Sequence, residues 1–451
     1  MRKLNDFGRD NILKLVLKLA IPSMIAQLVN VLYSIIDRMY IGNIPQIGDI
    51  ALAGVGVCGP IVTLITSFGT LVGIGGSILM SIRMGEGDTN QAKKILSNSF
   101  LTLVIFSTIL TVFFLIFKEQ FLIWFGASEI TFEYANAYLT IYTMGTFFAL
   151  LAIGLNYFIT CQGFSGIAMT TIIIGAISNI ILDTVFIFTL KMGVEGAAWA
   201  TVISQLFSCL FALSFLFSKK VPIKITFGNY SKDVIKQIIS IGVCPFIILA
   251  TDSIIIIIMN AVLQKFGGES QGDILISAAT IIQSYMMIIT GPLIGITGGT
   301  QAIISYNYGA RNIDRIKKTK NWVLALSIIF TTIMFFVSRI FPQYFVQIFT
   351  KTTENIELSI WGIKVFTLAI IPLSFQYALV DCLTALGCIK ISLSLSMFRK
   401  SLYVIFMICL PIFFQAKNAF YAEPLADLIG GIVSTTVFLL VFNKVINKKN
   451  I

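Results

Sequence analysis

The chain has 451 residues, of which 57% are hydrophobic and only 12% are charged, and its mean hydropathy is +0.92. Such a composition excludes an ordinary soluble domain and predicts an integral membrane protein. The net charge of +11 and the lack of any histidine also bear on function. Because most basic residues fall on one predicted side of the membrane, we expect no nucleic-acid partner, and without histidine the usual zinc and His-dependent hydrolytic sites are excluded.

Apolar stretches long enough to cross the hydrocarbon core as helices follow one another along the whole chain. The twelve spans are residues 13–41, 51–82, 95–117, 134–160, 167–190, 194–217, 236–263, 274–305, 322–341, 358–387, 391–414 and 419–443. Their unbroken apolarity favours helices over barrel strands. We therefore predict an all-α integral membrane protein with twelve transmembrane helices in a lipid bilayer.

The loops between these spans differ in charge. Of the 32 lysines and arginines, 22 lie in the two terminal segments and in the alternate loops that share their side of the membrane. Only 6 lie in the opposite loops. By the positive-inside rule, this bias predicts that both termini are cytoplasmic and that the protein resides in the cell membrane.

The second half of the chain repeats the first with an offset of 224 residues. The matched pairs are Gly75 with Gly299, Ser81 with Ser305, Gly85 with Gly309, Lys93 with Lys317 and Lys94 with Lys318. Six spans per half is an even number, so the halves enter the membrane from the same side as parallel repeats, with a central cavity expected between them. We predict a lobe at 1–222, a cytoplasmic linker at 223–235 and a second lobe at 236–451.

Carboxylates inside the membrane are costly and are functional candidates by default. Apart from Glu195 at the very start of span 6, the predicted spans contain six of them, namely Asp37, Asp183, Asp252, Asp381, Glu423 and Asp427. With no histidine present, any proton relay must use these acids.

In the first half, helical rise brings acids from separate spans to one depth. Spans 1 and 5 run outward, and Asp37 lies late in span 1 while Asp183 lies roughly 25 Å from the inner start of span 5. Span 6 runs inward, and Thr201 lies early in it, so all three residues reach the outer half of the membrane. Asn179 is one turn before Asp183 and shares its helix face. Together they form an oxygen-only cluster that suits a sodium ion, or a proton shared between two acids. The alternative is that these groups only tie helices together by hydrogen bonds.

In the second half the polar positions differ from those of the first. Asp252 lies midway along span 7, where it could bind a cationic substrate or form a structural ion pair. Asp427 lies within two residues of the position that the repeat assigns to Thr201, and it is a second candidate for substrate binding. Asp381 and Arg399 lie at similar depths on antiparallel spans, so we predict a salt bridge between them.

The substrate path has a diffuse signature in span 8. Gln283, Met286 and Met287 lie beside many phenylalanines, and methionine-rich surfaces suit ligands of many shapes. Core packing explains the same residues, so substrate binding and packing both remain open.

Two motifs add a resemblance to a known family. The loop Arg83-Met-Gly-Glu-Gly-Asp88 and the paired motifs Asn179-Ile-Ile-Leu-Asp183 and Gly196-Ala-Ala-Trp-Ala-Thr201, with the repeat and twelve spans, resemble the multidrug and toxic compound extrusion (MATE) transporters, in particular the bacterial branch of MepA-type exporters. In that family the acid of helix 1, the Asn and Asp of helix 5 and the Thr of helix 6 form a cation site. The resemblance implies this role for Asp37, Asn179, Asp183 and Thr201, with Na⁺ as the metal ion such a site would hold.

The implied function is secondary active efflux of amphipathic, often cationic drugs and dyes by antiport with Na⁺ or H⁺ through alternating access. We expect a monomer that is not an enzyme and needs no cofactor. The alternative is a flippase for lipid-linked precursors of the same superfamily, which would favour a basic cavity. An intramembrane enzyme ranks last, because no base or metal ligands accompany the acids.

Overall fold

The computed structural model describes residues 6–350 and 352–446, and in these residues the regular structure is entirely helical. We number the α-helices in chain order. They are α1 (Ile12–Gly42), α2 (Gly48–Gly85), α3 (Thr89–Trp124), α4 (Glu129–Met144), α5 (Thr146–Cys161), α6 (Ser165–Asp183), α7 (Gly193–Phe217), α8 (Lys232–Gly268), α9 (Ile274–Gly309), α10 (Ile313–Ile340), α11 (Pro342–Phe349), α12 (Thr353–Phe366), α13 (Ile370–Ala385), α14 (Ile389–Phe413) and α15 (Ala422–Ile446).

Twelve membrane crossings account for these helices when one bent pair is counted as a single span. In the described part of the chain, eleven helical stretches are long and apolar enough to cross a bilayer, and α4 with α5 makes the twelfth despite a bend of 57°. The bend lies at Gly145, where a side chain would collide with Val202 of α7. The predicted all-α architecture with twelve spans is confirmed.

Other departures from regular helix occur within spans and at their ends. A π-helical turn, Thr184–Thr189, extends α6 directly after Asp183. A 3₁₀ turn at Thr367–Ala369 joins α12 to α13. Between α8 and α9, Gly268 has a φ of +66°, a left-handed conformation that glycine adopts without strain.

The helices group into two compact units by their contacts. Unit 1 consists of residues 25–250 with 6–10 and 305–311, and unit 2 consists of 11–24, 251–304 and 312–446. These boundaries follow packing, so the start of α1 belongs to unit 2 and the start of α8 to unit 1. The division into lobes by the sequence repeat, at 1–222 and 236–451, stays a prediction.

The structure explains two of the repeated glycines. At the ends of α2 and α9, Gly85 lies against the carbonyl oxygen of Tyr306 and Gly309 against that of Ile82, so neither position has room for a Cβ atom. Ile82 and Tyr306 are themselves 224 residues apart. Both glycines are therefore required by one helix crossing, which lies inside unit 1.

The turn that follows each of these helices is also repeated. Gly87 and Arg311 both have positive φ, of 82° and 56°. The next residue caps the following helix in each case, since the Asp88 side chain accepts a hydrogen bond from the Gln91 amide and Asn312 accepts one from Arg315. The duplication thus extends to the backbone conformation of a loop.

The predicted linker lies within unit 1 and is held there by side-chain hydrogen bonds. Asn98 of α3 donates to the carbonyl of Asn229 at 3.3 Å and accepts from the amide of Ser231 at 2.8 Å. The Gln162 side chain accepts from the Ile223 amide at 2.9 Å. Helix α8 begins at Lys232, inside the stretch predicted as linker.

Candidate functional site

Four side chains that the sequence singles out lie together inside unit 1. Asp37 comes from α1, Asn179 and Asp183 from α6, and Thr201 from α7, and all four are buried. The Asn179 amide nitrogen donates to the Thr201 hydroxyl at 3.4 Å. The carboxylates of Asp37 and Asp183 lie close enough to repel each other. We call these four residues the oxygen cluster.

Two members of the oxygen cluster lie on one face of α6. Asn179 and Asp183 are one turn apart and share a helix face, which packs on α7 where Thr201 lies. The π-helical turn begins at the next residue, Thr184, and such turns are frequent at functional sites. Asp183 therefore ends the regular part of α6 inside the bundle.

Tyrosines and a glutamine line the oxygen cluster, and the sequence analysis missed them. The Tyr33 hydroxyl hydrogen-bonds to the Thr201 side chain, and the Tyr142 hydroxyl to Gln205. Tyr138 stacks on Tyr142 with ring centroids 6.2 Å apart. Tyr33 precedes Asp37 by four residues, so its position one helical turn away is the signal that could have found it.

Several buried oxygens of the oxygen cluster accept no hydrogen bond from the described residues. They are Oδ1 of Asp37, Oδ1 of Asn179 and both carboxylate oxygens of Asp183. Buried polar atoms are nearly always paired, so these unpaired acceptors require an explanation. A cation bound among them would satisfy them, because it would replace the missing donors.

The donor set indicates which cation fits. The described residues hold no group of three or more His, Cys, Asp or Glu side chains arranged for a metal ion. Two carboxylates with amide and hydroxyl oxygens instead suit a hard ion such as sodium. A proton held between the two carboxylates would remove the same repulsion.

Unit 2 contains a second set of buried charges, which we call the charge network. The Lys400 ammonium is 2.6 Å from Asp252, while Arg399 is 2.7 Å from Asp427 and 3.2 Å from Glu423. Helices α8, α14 and α15 supply these five residues. Both candidate acids for substrate binding, Asp252 and Asp427, are thus members of ion pairs.

The predicted salt bridge between Asp381 and Arg399 is wrong. Arg399 pairs with two acids of α15, and the Asp381 carboxylate instead hydrogen-bonds to the side chains of Thr297 and Gln301 on α9. Depth along a helix places two residues at one height, but it does not say which neighbouring helix each side chain faces.

The predicted substrate residues of α9 do not form one surface. Met286 is buried in an apolar core with Tyr285, whereas Met287 is exposed. The Gln283 amide contacts the sulfur of Met259 at 3.6 Å. Through Met259, Gln283 is linked to the helix of the charge network, since Met259 also accepts a hydrogen bond from Tyr403, one turn after Lys400.

Known proteins with similar sequences are exporters. A family model described as MatE matches residues 22–185 and 249–410. The multidrug export protein MepA of Staphylococcus haemolyticus is 26% identical over 385 residues, which are 84% of this chain and 83% of that protein. MepA of Staphylococcus aureus strain MSSA476 is 24% identical over 384 residues, with the same coverage.

Solved structures with the same fold span nearly the whole chain. An outward-facing multidrug resistance MATE family transporter of the MOP superfamily superposes with a TM-score of 0.92 over 99% of this chain and 100% of that one, at 22% identity. A MOP superfamily transporter from Pyrococcus furiosus has the same TM-score, identity and coverage. At this identity the likeness establishes the fold.

Proposed function

We propose that this chain, which belongs to the MatE family of transporters and is not an enzyme, exports amphipathic, often cationic organic compounds across the cell membrane in exchange for sodium ions or protons. The observation that carries the proposal is the oxygen cluster of unit 1. Its acceptors lack donors within the described residues, which is the arrangement expected of a coupling-ion site. The MepA relatives are named as multidrug exporters, which supports organic compounds as the cargo.

Each member of the oxygen cluster has a distinct part in holding the ion. Asp37 and Asp183 supply negative charge from two different helices, so the ion relieves a repulsion that otherwise pushes α1 and α6 apart. Asn179 and Thr201 supply neutral oxygens and keep each other oriented through their hydrogen bond. Ion binding therefore favours conformations in which α1, α6 and α7 are close together.

Coupling follows from this difference between ion-bound and ion-free states. A ligand moves a conformational equilibrium only through unequal affinity for its states. One charge crossing the membrane potential contributes about 2.3 kcal/mol per 100 mV, which is enough to bias an alternating-access cycle. The ion enters from the outside, and its binding and release drive the exchange of outward-open and inward-open states.

The positive-inside bias places both termini in the cytoplasm in this proposal. The flippase alternative gains no support from the two basic residues of the charge network. Arg399 and Lys400 are both neutralised by carboxylates, whereas binding of an anionic lipid headgroup would call for basic groups without acidic partners. We propose a monomer as the working unit.

Transport by purified protein in lipid vesicles tests the function. We expect ethidium to be moved against its gradient when an inward sodium or proton gradient is imposed, and to stop when the gradient is collapsed by an ionophore. Transport that needs ATP, or that is indifferent to both gradients, would contradict the proposal. Imposing each gradient alone identifies the coupling ion.

A further inference from the structure

The charge network of unit 2 contains one more acid than it has bases. Asp252, Glu423 and Asp427 are its three carboxylates, and Arg399 and Lys400 are its two cations. The network is therefore short of one positive charge, which is costly for the two carboxylates that are buried, Glu423 and Asp427. The shortage shows as a second oxygen of Asp427 that accepts no hydrogen bond from the described residues.

The three carboxylates differ in access. The Asp252 side chain is 51% exposed, whereas Glu423 is 14% and Asp427 0% exposed. A carboxylate facing hydrocarbon is strongly unfavourable, which indicates that the open side of Asp252 faces water. A soluble cation therefore reaches the network at Asp252.

Lys400 now holds that position, and a second acid lies nearby. Its ammonium is 2.6 Å from Asp252, and the preceding residue, Arg399, is 3.2 Å from Glu423. Lysine is a compact charge on a flexible stem, so it can turn from one acid to another. Arg399 binds Asp427 at the shorter distance, 2.7 Å against 3.2 Å, so it can give up Glu423 and keep Asp427.

We propose that a monovalent organic cation binds Asp252 by displacing Lys400, which moves to Glu423. All three carboxylates then have one cation each, Asp252 with the ligand, Glu423 with Lys400 and Asp427 with Arg399. This inference rests on the proposed export of organic cations and names both the preferred charge of the substrate and the residue that selects it. Lys400 is a built-in competitor that a weakly interacting ligand cannot displace.

Apolar and aromatic side chains border the pair on its buried side. Met259 lies two turns after Asp252 on α8, and Tyr403 lies one turn after Lys400 on α14, with the Tyr403 hydroxyl 3.3 Å from the Met259 sulfur. Both side chains are buried, so a ligand reaches Asp252 from its exposed side.

Binding of tetraphenylphosphonium to the purified protein, measured by calorimetry without any gradient, tests the exchange. Asp252→Asn should weaken binding at least tenfold, because the ligand loses its charge partner. Lys400→Met should strengthen it severalfold, because the competitor is gone. Glu423→Gln should weaken it at least tenfold although Glu423 never contacts the ligand, because Lys400 then has no other acid to move to.

The double variant Lys400→Met with Glu423→Gln separates exchange from a purely structural role. With Lys400 absent, Asp252 is open again and binding should return at least to the wild-type affinity. Thermal unfolding of each variant confirms that the protein compared is folded, and a rescued double variant is itself evidence of folding.

Three results would overturn the inference: wild-type affinity in Glu423→Gln, weaker binding in Lys400→Met, or no tetraphenylphosphonium binding by the wild type. Failure of the proposed function looks different. In that case tetraphenylphosphonium binds with the expected pattern, yet vesicles move no organic compound under any ion gradient.

Discussion

The oxygen cluster and the charge network occupy corresponding helices of the two halves. The oxygen cluster uses the first, fifth and sixth spans of its half, α1, α6 and α7, and the charge network uses the first, fifth and sixth of the other, α8, α14 and α15. Among the described residues, the acids of the oxygen cluster form no salt bridge, whereas the charge network contains two cations. Under the proposed function, the first half thus depends on an external cation, and the second largely supplies its own.

This difference has an energetic side. Uncompensated carboxylates in a membrane bundle destabilise the protein unless a proton or ion neutralises them. Functional sites often retain such destabilising features because activity needs them. The oxygen cluster fits this description, while the charge network is mostly neutralised within itself.

The largest expected effect is a loss of efflux that covers all compounds for the oxygen cluster but only cations for the charge network. Asp37→Asn and Asp183→Asn should each reduce gradient-driven efflux to background for every compound, since the coupling ion loses its site. Asp252→Asn should reduce efflux of monovalent cations about tenfold and leave neutral or zwitterionic compounds nearly unchanged, because only the cations lose a charge partner. Vesicle transport of matched charged and neutral dyes measures both, with the exposed Asp233→Asn as control.

Wild-type efflux in either unit 1 variant would show that the oxygen cluster is not the coupling site. An equal loss for charged and neutral compounds in Asp252→Asn would assign that acid to coupling or folding.

Removing a charge should lower the free energy of unfolding in the charge network but not in the oxygen cluster. Arg399→Met leaves two buried acids without their cation, and breaking a buried pair in this way typically costs about 3–5 kcal/mol. Asp183→Asn removes one of two repelling acids, so it should not lower stability in sodium-free buffer. Midpoints of thermal unfolding in one detergent compare the two variants. A similar loss in both would mean that the oxygen cluster is also held together by its charges.

Binding of sodium should also distinguish the oxygen cluster from the charge network by its effect on thermal unfolding. An ion that binds only the folded protein stabilises it by about 2.7 kcal/mol at one hundred times its Kd. Sodium chloride should therefore raise the unfolding midpoint of the wild type relative to choline chloride at equal ionic strength, and this rise should disappear in Asp183→Asn but persist in Asp252→Asn. No rise in the wild type would point to protons as the coupling ion, and a rise that survives in Asp183→Asn would place sodium elsewhere.

Sequence alone predicted the spans, the repeat and the four members of the oxygen cluster, because intramembrane acids are rare and helical rise fixes their depth. It did not predict Tyr33 or Tyr142, since tyrosine is unremarkable in an apolar helix. It also paired Asp381 with Arg399, because depth carries no information on which way a side chain faces around the helix axis. The bend at Gly145 depends on contact with α7, which no local pattern near that glycine shows.

The smallest expected effects test where the two halves remain alike. Gly85→Ala and Gly309→Ala each force a Cβ atom into the backbone of the facing helix, and such overpacking costs about 1–3 kcal/mol. Gly56→Ala is the matched control on α2, because that position has open space and alanine favours the helix. Both crossing variants should lower the unfolding midpoint by similar amounts while the control does not. A cost at Gly85 but none at Gly309 would show that the crossing has lost its symmetry, as the polar sites have.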